Sequence, residues 1–185
     1  RIGDITMPSM QIAAFPSILP DRGGVISPNT FRGRLLTLDF AASELRIADK
    51  TPANTPPGDG YAYSGETHHP LPSLPVSLHG QTYAAHLDSG SPAALTFPYT
   101  MAASLPLAGT PVAAGHARFV DGVHDKYSAQ INGDVQVGPL TLHNPEISLI
   151  DGLPFVNVGM GVLRQMTITL DPEGRRVWAS ASPRS

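Results

Sequence analysis

The segment that decides the fold reads AAHLDSGS over residues 84–91. An alternating run over residues 82–87 predicts a strand that ends at Asp88. Gly90 permits a sharp turn directly after that strand, and Ser89 and Ser91 add hydroxyl groups beside the carboxylate. A carboxylate on a tight turn at a strand end is well placed for acid–base chemistry. An Asp-Ser-Gly turn is also common on the surface of β-proteins, so the segment alone leaves both interpretations open.

The composition around this segment favours a folded β-protein. Hydrophobic residues make up 41% of the 185 residues, charged residues make up 15%, and the net charge is −3. These values argue against a disordered chain and against a nucleic-acid-binding protein, which needs clustered Lys and Arg. The 18 Gly and 19 Pro residues favour short strands joined by turns. The absence of Cys excludes disulfides, thiolate metal sites and a cysteine nucleophile.

Two strand-rich blocks flank a segment rich in Pro, Gly, Ser and Thr. We expect residues 1–49 to form half of one lobe, residues 50–74 an irregular linker, and residues 75–185 a complete lobe. No stretch approaches the roughly 18 apolar residues that a membrane-spanning helix needs. The strand pattern of the second block predicts an all-β lobe with eight core residues, namely Leu87, Leu95, Val135, Leu140, Ile147, Leu163, Ile168 and Val177.

An internal repeat links the two blocks. IGDITMP at residues 2–8, LLTLDF at 35–40 and LRI at 45–47 recur as VGPLTLH at 137–143, TITLDP at 167–172 and VWA at 177–179. The last two pairs share one shift along the chain, and the shift of the first pair is slightly longer. We therefore expect residues 2–48 to superpose on residues 137–180, with Asp39 over Asp171. Two unrelated hairpins of similar sequence are the alternative explanation.

The segment LDSGS at residues 87–91 resembles the active-site loop of the aspartic protease family, both pepsin-like and retroviral-type, in which a hydrophobic residue precedes Asp-Thr/Ser-Gly-Ser/Ala. Upstream, LPVSLHGQTY at residues 74–83 is similar to the family's lead-in hairpin. Downstream, FVNVGMGVL at residues 155–163 is similar to its hydrophobic-hydrophobic-Gly strand and short helix, although Asn157 interrupts the apolar pair. In the N-terminal copy, VISPNTF at residues 25–31 has Ser27 where the family usually has Gly. The overall pattern is most similar to bacterial retropepsin-like proteases with two lobes in one chain.

The resemblance implies an all-β fold, a closed β-barrel lobe plus half of a second lobe, and an aspartic endopeptidase. It implies that Asp88 is a catalytic residue and that Ser89, Gly90 and Ser91 support the active-site loop, with Ser91 hydrogen-bonded to the carboxylate. We expect the carboxylate at the floor of a cleft between the lobes. The substrate would be a peptide or protein, no cofactor or metal is implied, and a periplasmic or secreted bacterial location is favoured.

This chemistry needs two aspartates, and the sequence contains a single Asp-Thr/Ser-Gly. Two adjacent carboxylates share one proton, so that one activates water while the other donates to the substrate carbonyl. The repeat predicts that the second aspartate lies upstream of Arg1, in a missing half-lobe, or is supplied by a second chain. A catalytically inactive retropepsin-like binding or scaffolding domain is the alternative, and an unrelated β-barrel or β-sandwich adhesion domain is a further one.

Other motifs carry weaker signals. The pair His68-His69 lacks the spacing of a zinc site, and no Gly-x-Ser-x-Gly motif of a serine hydrolase is present. Residues 119–129 could form a flap hairpin over the cleft, with Asp121-Gly122 or His124-Asp125 at its tip, or a plain exposed hairpin.

Overall fold

A computed structural model describes residues 25–63, 71–119 and 121–182. The described chain consists mainly of strands, which confirms the all-β fold expected from the sequence. In chain order the strands are β1 Arg34–Asp39, β2 Glu44–Asp49, β3 Tyr61–Ala62, β4 Ser73–Leu78, β5 Gln81–Asp88, β6 Leu95–Pro98, β7 Val112–Phe119, β8 Gly122–Gln130, β9 Asp134–Val137, β10 Leu140–His143, β11 Glu146–Ile150, β12 Val156–Gly159, β13 Met166–Asp171 and β14 Arg176–Ala181. Two 3₁₀-helices span Pro28–Phe31 and Tyr99–Ser104, and the short helix α1 spans Met160–Leu163. No described helix has the length and apolar character needed to cross a bilayer.

The larger sheet has nine strands in the order β10-β9-β4-β5-β12-β6-β11-β8-β7. Most neighbours are antiparallel, but β12 runs parallel to β5, and β11 runs parallel to β6. β12 thereby enters the middle of the sheet beside a strand far from it in sequence, since Asn157 faces His86 and Gly159 faces Asp88. This insertion brings the FVNVGMGVL segment against the end of the strand that carries Asp88.

The hydrophobic core consists of aliphatic and aromatic side chains from both sheets. Six of the eight predicted core residues are buried: Leu95, Val135, Ile147, Leu163, Ile168 and Val177. The other two, Leu87 and Leu140, are partly buried and pack against the core. The sequence pattern therefore identified most of these inward-facing positions correctly.

The smaller sheet has the order β2-β1-β13-β14-β3 and joins the two ends of the described chain. β1 pairs with β13 in antiparallel fashion, with Thr37 opposite Thr169. On either side, Leu36 faces Leu170 and Leu38 faces Ile168. A twofold rotation through the Thr37–Thr169 pair therefore exchanges the two strands. Each residue of β1 is related by this rotation to the residue of β13 that lies 132 positions later in the chain, as Thr169 lies after Thr37.

The same shift relates the flanking elements. Asp39 faces Glu44 across the first hairpin, and Asp171 faces Arg176 across the second. Each hairpin closes with one residue of positive φ, Ser43 at 55° and Arg175 at 52°. The helices Pro28–Phe31 and Met160–Leu163 are related by this shift as well. The structural repeat thus runs from residues 27–49 to residues 159–181, in the register predicted from LLTLDF and LRI. The first block of the sequence repeat, residues 2–8, lies outside the described residues.

The segment predicted as an irregular linker is more ordered than expected where it is described. β3 pairs with the outer edge of β14, and β4 begins at Ser73, inside the predicted linker. The indole Nε1 of Trp178 donates to the carbonyl of Gly58 at 2.9 Å, and Arg176 donates to the carbonyl of Asp59 at 3.1 Å. The edge of β14 thus provides hydrogen-bond partners that order this segment. The Pro and Gly content of the segment does not indicate these long-range contacts. His68-His69 lies outside the described residues, and the lobe boundaries stay a prediction.

Candidate active site

Asp88 is the last residue of β5, a strand in the middle of the larger sheet. β5 lies between β4 and β12, and Asp88 pairs with Gly159 of β12. The side chain is half-buried, whereas Ser89 and Gly90 directly after it are exposed. The sheet therefore fixes the backbone of Asp88, while its carboxylate still reaches the surface.

A tight turn follows Asp88 and holds one of its carboxylate oxygens. The Ser91 amide donates to the Asp88 carbonyl at 3.2 Å, and the Gly90 amide donates to Asp88 Oδ1 at 3.0 Å. A Cβ on residue 90 would lie 3.2 Å from that same oxygen, so glycine lets the backbone approach the carboxylate closely. This turn matches the expectation for Asp88 and Gly90.

The second carboxylate oxygen is bound by a residue that the sequence pattern presented as an interruption. Asn157 Nδ2 donates to Asp88 Oδ2 at 3.3 Å, and Asn157 is only 6% exposed. Each oxygen of Asp88 thus accepts one N–H, which fixes the carboxylate plane. The signal available in the sequence was an amide side chain within the hydrophobic-hydrophobic-Gly segment, where burial without a partner is costly.

Among the described residues, the donors to the Asp88 carboxylate are Gly90 and Asn157, and the hydrogen bond expected from Ser91 is not observed. Ser91 contributes through its backbone: the Ser91 carbonyl accepts the Met160 amide at 2.8 Å. A Cβ on Gly159 would lie 2.8 Å from that carbonyl oxygen. Ser91 and Gly159 therefore join the Asp88 loop to the start of α1.

His86 lies two residues before Asp88 on β5, so both side chains share one face of the strand. Its ring stacks on Phe155, with centroids 4.4 Å apart and an interplanar angle of 47°. Burial lowers the pKa of the His86 imidazole. Its Nδ1 is buried and has no hydrogen-bond partner among the described residues. His86 is the second residue of this site that sequence reasoning missed.

The hairpin predicted as a flap is formed by β7 and β8. Phe119 pairs with Gly122, so the turn includes Asp121, whereas His124 and Asp125 lie within β8. The prediction of Asp121-Gly122 at the tip is therefore correct, and the alternative tip at His124-Asp125 is wrong. Most of β7 is exposed, consistent with a hairpin that projects from the edge of the sheet.

Comparison with known families and structures adds a separate line of evidence. The family model described as "Aspartyl protease" matches residues 74–171, a stretch that includes nearly all of β4 to β13 and the whole Asp88 loop. The chain belongs to the aspartyl protease family. The crystal structure of a retropepsin-like aspartic protease from Rickettsia conorii aligns at 14% identity and a TM-score of 0.42, covering 50% of this chain and 77% of that chain. No curated protein sequence matches.

Several features of this aspartyl protease family member lie outside the matched stretch. The first structural repeat, residues 27–49, precedes it, and β14 follows it.

Asp88 does not line any of three surface cavities of about 330 to 470 Å³, so the expected cleft around Asp88 stays a prediction. Among the described residues, no group of three or more His, Asp or Glu side chains is arranged to hold a metal ion.

Proposed function

We propose that the chain is an aspartic endopeptidase in which Asp88 is one of two catalytic carboxylates. The observation that carries the proposal is the fixed carboxylate at the end of β5, held through Oδ1 by Gly90 and through Oδ2 by Asn157, within a stretch that matches the aspartyl protease family. A carboxylate with a defined plane can accept a proton from a water molecule at a defined position.

The second carboxylate would face Asp88 across a water molecule. Two carboxylates at hydrogen-bond distance share one proton, because two like charges so close are unfavourable. The ionised member takes a proton from the water, whose oxygen attacks the peptide carbon. The protonated member donates to the carbonyl oxygen. Water attacks directly, so no covalent enzyme intermediate forms.

The structural repeat supports a source for the second carboxylate outside these 185 residues. Val158, directly before the second repeat, and Val177 within it are both 0% exposed. The residues related to them by the same shift, Ile26 and Leu45, are each 52% exposed. Within the described part of the chain, equivalent positions are thus covered in one repeat and half-exposed in the other. We propose that a half-lobe with its own Asp-Thr/Ser-Gly turn covers Ile26 and Leu45, and that it comes from upstream of Arg1 or from another chain.

The substrate proposed for this site is a peptide or protein. The β7–β8 hairpin is the proposed flap, since its strands are long, lie at the sheet edge and carry exposed Val112 and Val123. Apolar side chains on a hairpin that closes over the site can contact a peptide and exclude water around the reacting carbonyl.

Incubation of the full-length protein with a peptide library tests this proposal. We expect the protein to cleave peptides and substitution of Asp88 to abolish this cleavage. Asp134→Asn, which changes an exposed carboxylate, is the control and should retain cleavage. Peptide binding without cleavage by a preparation that contains both aspartate turns would replace the proposal with the alternative of an inactive binding or scaffolding domain.

A further inference from the structure

Two buried polar atoms beside Asp88 have no hydrogen-bond partner in the described chain. They are Nδ1 of His86 and Oδ1 of Asn157. Buried polar groups in native proteins are nearly always paired, because an unpaired one loses its bonds to water without replacement. One of these atoms belongs to an imidazole, which can donate, and the other is an amide oxygen, which can only accept.

Strand pairing places the two side chains next to each other. His86 and Asn157 are directly paired across the parallel β5–β12 pair, and neighbouring strands lie about 4.8 Å apart. Asn157 already contacts Asp88, which shares the face of β5 with His86. The two unpaired atoms therefore belong to neighbouring side chains on one face of the sheet.

We propose that His86 is a positioning residue for Asp88: its Nδ1–H donates to Oδ1 of Asn157, whose Nδ2 donates to Oδ2 of Asp88. The catalytic consequence rests on the function proposed above for Asp88. The direction of the chain of bonds follows from its middle member, because the Asn157 nitrogen is already a donor to the carboxylate. The Asn157 oxygen must then accept, and the His86 nitrogen that faces it must carry a proton.

The surroundings of His86 suit this role. The contact with Phe155 restricts rotation of the imidazole ring. Burial lowers the pKa of His86, so near neutral pH one ring nitrogen carries the proton and the other does not. The tautomer of His86 is therefore a direct readout of the proposed bond. With Gly90 holding Oδ1, a fixed Asn157 leaves the carboxylate of Asp88 a single orientation.

Long-range ¹H–¹⁵N correlation spectra of the full chain near neutral pH test the proposal, because they report which ring nitrogen is protonated. We expect His86 to be protonated at Nδ1, and we expect Asn157→Leu to shift the tautomer towards Nε2. His143, an exposed histidine whose Nδ1 lies 2.8 Å from Asp134 Oδ1, is the internal control and should not respond. An unprotonated Nδ1 on His86, or a tautomer unaffected by Asn157→Leu, would overturn the proposal.

His86→Phe provides a second measurement that is independent of the folding of Asn157→Leu. The side-chain NH₂ resonances of Asn157 should shift and exchange faster with water, whereas unchanged resonances would also overturn the proposal. In a preparation that cleaves peptides, kcat should fall about tenfold with KM unchanged, since a small misplacement of a reacting group is costly. The spectra require no cleavage. An inactive protein whose His86 tautomer responds to Asn157→Leu would therefore refute the function and retain the hydrogen-bonded chain.

Discussion

The hydroxyl oxygens of Thr37 and Thr169 lie 2.9 Å apart, on strands that are paired although 132 residues separate them in the chain. The bond lies on the local twofold axis that exchanges β1 with β13. It joins the two halves of the structural repeat at the one pair of facing residues that are also equivalent in the repeat. The repeat found in the sequence thus corresponds to a physical contact and not to a similarity between distant hairpins.

Removal of this hydroxyl pair should weaken the smaller sheet. Thr37→Val and Thr169→Val keep the shape of each side chain but leave the partner hydroxyl without its bond, so each should cost about 1 kcal/mol. The double variant should cost less than the sum of the two, because no unpaired hydroxyl is left. Urea unfolding measures these values. Strict additivity would contradict a direct bond, and Thr110→Val at an exposed residue should change stability by less than about 0.5 kcal/mol.

The close contact between the Asp88 loop and α1 should make Gly159 intolerant of a side chain. In Gly159→Ala the new Cβ would clash with the Ala93 carbonyl oxygen and lie 2.8 Å from the Ser91 carbonyl oxygen, so we expect a loss of about 1–3 kcal/mol from the displaced backbone. Gly109, where an added Cβ would have no atom within 4 Å, is the matched control. Thermal unfolding of both variants tests this contact, and equal stability would rule it out.

Asp171 and Asp39 occupy equivalent positions but differ in their surroundings. The Asp171 side chain is 3% exposed and lies 2.7 Å from Lys50 Nζ, and its Oδ1 accepts the Gly174 amide. Asp39 is only partly buried, and its Oδ1 accepts the Ala42 amide. Asp171→Ala removes a buried carboxylate that accepts hydrogen bonds from Gly174 and Lys50 and should cost about 2 kcal/mol, whereas Asp39→Ala should cost about 1 kcal/mol. Denaturant unfolding gives both values, and the reverse order would contradict the assignment.

The lowered pKa of His86 predicts a pH dependence of stability. The unfolded imidazole takes up a proton as the pH falls through its ordinary pKa of 6.5, while burial keeps the folded imidazole neutral to lower pH. The unfolded state then binds more protons, so stability falls on acidification. His86→Phe lacks this contribution and should gain stability relative to wild type as the pH drops from about 7 to about 5. A difference between the two proteins that stays constant over this range would show that His86 titrates normally.

The sequence predicted the elements of the site better than their contacts. Alternation over residues 82–87 and the Gly90 turn located Asp88 at a strand end, because these are local properties of the chain. The bond from Asn157 to Asp88 spans 69 residues and depends on the parallel register of β5 and β12, which no local pattern reveals. The hydrogen bond expected from Ser91 is not observed among the described residues, where the donors to the carboxylate are Gly90 and Asn157.

For the fold as well, local features could be predicted from the sequence, whereas features that depend on distant strands could not. The repeat, the hairpin over residues 119–129 and most of the core followed from alternation and turn residues. β3 did not, because Tyr61 and Ala62 form a strand only when the edge of β14 offers them backbone partners.

The most direct test of the catalytic role of Asp88 is kcat/KM for peptide cleavage by Asp88→Asn in the full-length protein. The amide keeps the shape of the side chain and removes its charge, so the variant should fold and its kcat/KM should fall by at least about 10³, within the range for loss of general acid–base catalysis. Asp134→Asn, an exposed carboxylate on β9, should retain wild-type kcat/KM. A folded Asp88→Asn protein that cleaves peptides at the wild-type rate would contradict the assignment of Asp88 as a catalytic carboxylate.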